Sequence, residues 1–155
     1  MAWPVLWVAA VALEVLAGGV AIWLAGQHGP ALLAVVLNAL VCARFAATLR
    51  PGAEPLITQY GRFDRDGLPP ECEGYTRALT VAWTVLIGAF SLAHAVPPLL
   101  GLGSTAMLSK AQGAIMLAFF LGEHVLRNRR FPHLGPATPW RTLRAMWLSL
   151  GARHA

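Results

Sequence analysis

The chain has 155 residues, 57% of them hydrophobic and only 12% charged, against about 25% charged in an ordinary soluble domain. A mean hydropathy of +0.58 points the same way: a core could be buried, but too few charges remain to face water. These figures exclude a disordered tail, argue against a soluble enzyme and leave an integral membrane protein.

A net charge of +5 and a pI near 10.2 raise the question of nucleic acid. The basic residues, however, cluster where apolar segments end, which is a topology signal before it is a partner signal, and no nucleic-acid partner is expected. Cys42 and Cys72 form no CxxC and no zinc spacing.

A crossing of the hydrocarbon core needs about 20 mostly apolar residues. Four segments meet this, at about 3–25, 31–49, 78–96 and 105–126. The first has no Lys or Arg before its apolar run, and the run is too long for a cleaved signal peptide, so it is expected to remain as a span. Residues 26–30 suit only a tight hairpin, and Pro97-Pro98 through Gly103 read as a second short, uncharged turn. The expected fold is therefore all-α: one polytopic four-helix membrane domain over residues 1–130, with an amphipathic loop at 50–77 and a tail at 131–155.

Charge sets the expected orientation. The loop carries Arg50, Arg62, Arg65 and Arg77, and the tail Arg127, Arg129, Arg130, Arg141, Arg144 and Arg153, while the two hairpins carry no Lys or Arg. The positive-inside rule then places loop, tail and both termini in the cytoplasm. In the tail, Thr138-Pro139 reads as a helix cap and first turn. Trp140, Leu143, Met146, Trp147 and Leu150 recur at helical spacing beside Arg141 and Arg144. That is the pattern of an interfacial helix on the inner leaflet, with packing against the loop as the alternative.

An ionisable side chain at mid-bilayer costs about 2.5–3.5 kcal/mol on insertion scales, so each one needs a reason. Glu14 lies about 16 Å deep, at the level of Asn38 on the second span, and the two are expected to meet. His94 and Lys110 sit toward the outer interface, where they can snorkel. Arg44, Glu123 and His124 sit near the inner edge, and an Arg44–Glu123 salt bridge is the natural pairing. Together these groups either satisfy one another and fix helix register or form a seam that binds a head group, a proton or a cofactor. The histidines have no shared ligand spacing, so no metal or cofactor site is expected. Glu123 and His124 are adjacent on a helix, point about 100° apart, and are expected to serve different neighbours.

The loop opens with Arg50-Pro51-Gly52, which stops the second span. Leu56, Ile57, Tyr60 and Phe63 then follow the stripe of a short amphipathic helix. Its apolar side is expected on the membrane or the helix ends, leaving Arg62 and Arg65 free. Leu68-Pro69-Pro70-Glu71 restarts a helix, and Tyr75-Thr76-Arg77 returns the chain to the membrane.

The order of these motifs resembles a family. Asn38 in a span, Glu54-Pro55-Leu56-Ile57 with Arg62, Leu68-Pro69-Pro70-Glu71, Tyr75-Thr76-Arg77 with Thr80 and Trp83, and finally Gly122-Glu123 with Arg127 are similar to small bacterial inner-membrane proteins encoded in aryl polyene and fatty-acid-like biosynthetic clusters. Those clusters also encode acyl carrier proteins, ketosynthases and acyltransferases, and some members are labelled ketosynthase. The chain departs from the pattern at Thr84-Val85-Leu86-Ile87, where an aromatic stretch is expected, and at Lys110-Ala111-Gln112, where Tyr-Asn-Gly is expected.

There is no GxSxG elbow, HExxH, P-loop or Rossmann glycine pattern, and neither cysteine has the histidines and large soluble fold a condensing enzyme needs. The expected role is thus a non-catalytic accessory membrane protein of a lipid or aryl-polyene-like assembly pathway in the bacterial inner membrane. Through Arg50, Arg62, Arg65 and Arg77 it would dock an acidic acyl carrier protein, or a membrane acyltransferase, at the inner face. The alternatives are a structural subunit of a larger membrane complex, its small residues Gly18, Gly19 and Gly113 offered for packing, and a lipid or proton transporter subunit acting as an oligomer.

Overall fold

The computed structural model describes residues 16, 18–20, 23, 26–64, 67–100 and 104–152, and these are helical wherever they are regular. Five α-helices follow in order: α1 (Gly29–Ala47), α2 (Leu56–Gly61), α3 (Glu73–Leu100), α4 (Thr105–Arg130) and α5 (Pro139–Ala152). Short 3-10 turns at Gly26–His28, Pro70–Cys72 and Pro132–Leu134 precede α1, α3 and α5. Three helical stretches are long and apolar enough to cross a membrane: α1, Pro70–Val96 and α4. The first expected span, 3–25, lies almost wholly outside the described residues, as do Glu14, Arg65 and Arg153.

Helix ends follow local chemistry. A proline opens α1 in its first turn, where no intrahelical donor is needed. Pro70 and the acidic Glu71 and Glu73 start the helical run well before residue 78, so Tyr75, Thr76 and Arg77 belong to α3 and not to a loop. The same helix runs past Pro97-Pro98 to Leu100. Those prolines, expected in a turn, sit within the last turn of the helix, where each removes one N–H bond to the preceding turn and only Leu99 and Leu100 follow. Ser104 caps α4, its Oγ accepting from Met107 N at 3.4 Å, and Thr138 Oγ1 accepts from Arg141 N at 3.3 Å at the start of α5.

The closest pairing is α1 along α3. Small residues and short polar groups make it possible. A Cβ built on Gly88 would lie 3.2 Å from Cys42 Sγ, a tight contact that the glycine avoids. Across the same seam Ser91 Oγ donates to Val35 O at 3.0 Å, and Cys42 Sγ to Thr84 O at 3.4 Å. Between α3 and α4, Trp83 and Phe119 meet edge to face with ring centroids 4.8 Å apart.

At the end where α1 stops and α3 starts, threonines anchor the loop. The orphan N–H groups of α2 find hydroxyls from elsewhere: Leu56 N donates to Thr48 Oγ1 (3.0 Å) and Ile57 N to Thr80 Oγ1 (3.3 Å). Thr58 and Thr76 share a buried hydrogen bond of 2.7 Å. Leu56 is 1% exposed beneath them. The chain reaches this arrangement through Gly52, whose φ of +78° suits glycine. The start of α2 is therefore packed, with Leu56 and Thr58 both buried.

Helix α5 packs on α2 and α4 through Ala145 and Ser149, both nearly inaccessible. Its other face exposes Trp140, Leu143, Arg144 and Trp147. The apolar stripe expected from sequence is thus divided, with Met146 half-buried inward and both tryptophans outward. Packing on the loop and presenting an aromatic face are properties of the same helix.

Candidate functional site

Two polar clusters lie between the helices. The first joins three side chains within the apolar stretches. Asn38 Nδ2 donates to Ala34 O on its own helix (2.8 Å), which turns Asn38 Oδ1 toward Gln112 Nε2, its donor at 2.8 Å. Gln112 Oε1 then faces His94 Nε2 at 2.8 Å. An amide oxygen only accepts, so Nε2 of His94 is the donor, which leaves Nδ1 as the ring nitrogen outside this chain of bonds. That nitrogen is buried with no partner among the described residues, and His94 is 0% exposed. The expectation that His94 snorkels outward is corrected: the amide chain holds it inward. Lys110, two residues before Gln112, is exposed. Gln112 is the member not singled out from sequence, although an amide within an apolar helix is the same signal that marked Asn38.

The second cluster lies where α3 begins and α4 ends. Tyr75 Oη donates to Glu123 Oε1 at 3.3 Å, and His124 Nδ1 lies 3.2 Å from Glu123 Oε2. Nδ1 also donates to Phe120 O at 2.7 Å, while Nε2 bonds Thr142 Oγ1 of α5 at 2.9 Å. The Arg44–Glu123 bridge does not form. Arg44 points outward, and Glu123 is claimed by the phenol and the imidazole. Nor do Glu123 and His124 serve wholly separate neighbours, because flexible side chains close the 100° that separates their Cβ directions.

Below this cluster the arginines divide by task. Asp64, its side chain 8% exposed, accepts from Arg127 Nη2 (3.3 Å) and Arg141 Nε (3.0 Å), so it ties the loop to α4 and α5. Arg62, expected to be free for a partner, pairs with Glu54 and with Glu73 (3.5 Å). The hydrogen bond and charge of Glu54 raise the pKa of its guanidinium, with Glu73 adding to the effect. Arg77 donates to Leu49 O at 3.1 Å and closes the end of α1. Arg50, Arg129, Arg130 and Arg144 are exposed. The tail is pinned by a reciprocal pair, Asn128 Nδ2 to Ala137 O (3.1 Å) and Ala137 N to Asn128 Oδ1 (2.6 Å).

A cavity of about 480 Å³ opens among α1, α2, α3, α4 and α5. Its walls are largely aliphatic and aromatic, and Tyr75, Glu123, Arg127 and Thr142 line its inner end. Cys42 and Cys72 are free thiols. Among the described residues no group of three His, Cys, Asp or Glu side chains could hold a metal ion. Comparison with family models, with curated proteins and with solved structures finds no significant match to this chain.

Proposed function

We propose that this chain is a non-catalytic accessory protein of a lipid-assembly pathway in the bacterial inner membrane, offering a rigid basic platform to an acidic soluble partner in the cytoplasm. The observation that carries this reading is the division of the arginines. Arg127 and Arg141 tie the tail to the loop through the buried Asp64 carboxylate, while Arg50, Arg129, Arg130 and Arg144 are exposed around the same end, as is Arg62 with its surface partners Glu54 and Glu73. Orientation in the membrane alone needs only charge near the helix ends. An ordered platform supports more, since pre-organised side chains lose less freedom on binding. The motif resemblance favours an acyl carrier protein as that partner.

The test is co-purification of the full chain in nanodiscs with tagged acyl carrier protein. Wild type should retain the carrier at low salt and release it as salt rises. A variant with Arg129, Arg130 and Arg144 replaced by Gln should retain little. Equal retention by that variant would refute the platform.

A further inference from the structure

The cavity at the inner end has the dimensions and lining of a site for one hydrocarbon chain, and its charges select the head. From Tyr75 to Ile87 its wall follows α3 for about 18 Å at 1.5 Å per residue. An extended chain advances about 1.2 Å per bond, taking the 3.6 Å of a residue over three bonds, so this length accepts about 15 bonds. The volume, about 480 Å³, falls within the usual range of small-molecule sites, and such sites pair apolar walls with a few convergent polar groups. Here the polar groups converge at one end only.

The charged groups lining that end are Glu123 and Arg127, which cancel. Arg127 is already bonded to Asp64, whereas Glu123 is held by a phenol and an imidazole and has no guanidinium or ammonium group on it among the described residues. A carboxylate head would add a second negative charge beside Glu123, whose side chain is 10% exposed, an arrangement that like-charge repulsion disfavours. An uncharged carbonyl adds no charge, and Arg127 can donate to it.

We infer that the cavity bounded by Tyr75, Trp83, Met116, Phe120 and Glu123 binds the chain of a long-chain ester or thioester, with its carbonyl at the Glu123 end, and discriminates against the corresponding free acid. This does not depend on the platform reading: loss of carrier-protein retention with intact chain binding would refute only the former, and the converse only the latter.

The experiment uses the full chain in nanodiscs and two photoreactive probes of equal length. One is a long-chain methyl ester with a diazirine near its terminal methyl; the other is the matching free acid. Peptide mass spectrometry locates the adducts. The ester should label cavity residues such as Trp83, Ile87 and Met116, and the acid should compete at least about tenfold more weakly at neutral pH. Glu123→Gln should bring the acid to within a few-fold of the ester. Leu79→Trp, which fills the cavity, should abolish labelling there. Ester adducts spread evenly over lipid-facing residues such as Leu37, Leu40 and Leu92 would mean annular lipid and overturn the inference, with no variant required. Equal competition by acid and ester in wild type would overturn the selection of the head.

Discussion

Removing the Asp64 carboxylate should detach the tail from the loop while leaving the spanning helices assembled. Asp64 accepts from guanidinium groups on two different helices, at 3.3 and 3.0 Å, and the three side chains are 8%, 22% and 26% exposed. Hydrogen bonds to charged groups contribute about 1.5–3 kcal/mol each. Two of them, discounted because both arginines regain some water on release, give about 3 kcal/mol for Asp64→Ala. That corresponds to roughly a hundredfold rise in the equilibrium for lifting the loop at Asp64, which breaks both bonds, and to about tenfold for opening α5, which breaks only the one to Arg141. Amide hydrogen exchange by mass spectrometry in nanodiscs reads this directly. Protection should fall about a hundredfold in residues 56–64 and about tenfold in α5, while the middle of α1 and α3, joined by Ser91, Cys42 and Gly88, should be unchanged. Asp64→Asn, which keeps an acceptor oxygen, should fall between. Unchanged protection of α5 in Asp64→Ala would refute the role of the clamp.

Gln112→Leu breaks two 2.8 Å hydrogen bonds and should destabilise the protein by about 1–2 kcal/mol in detergent melts, in keeping with other hydrogen bonds between membrane helices. The same change should shift the Nε2 resonance of His94 in its 15N spectrum, because its acceptor is gone; an unaltered ring would show that Gln112 does not bond it. Gly88→Leu should disrupt packing of α1 on α3, because even a Cβ comes within 3.2 Å of Cys42 Sγ, whereas Gly113→Leu, with nothing within 4 Å, should melt like wild type. Similar behaviour of the two glycine variants would place the tight seam elsewhere. A reporter fused after Ala155 should be cytoplasmic and one inserted at Gly101 periplasmic, and the reverse pattern would invert the orientation.

Apolar run length and charge placement are local properties of a chain in a bilayer, so the membrane character, the helical class and the second, third and fourth apolar segments were legible in the residues themselves. A short helix at Leu56–Gly61 and the Thr138 cap were legible for the same reason: each depends on a handful of neighbours. Helix ends were read less well, because Pro70 and Glu73 extend α3 backward, and the prolines at 97 and 98 sit too near its end to stop it. Pairing was another matter. Which polar group meets which depends on helix rotation and on contacts between residues far apart in sequence, and periodicity carries no such information. Thus Arg62, free by its position in the loop, is held by Glu54 and Glu73; Glu123 turns to Tyr75 and His124 instead of Arg44; and Asn38 reaches Gln112, 74 residues away. The cavity is the extreme case. It exists because α4 packs less closely than α1 against α3 while α2 and α5 seal one end, and that space is set by the assembly of five helices together.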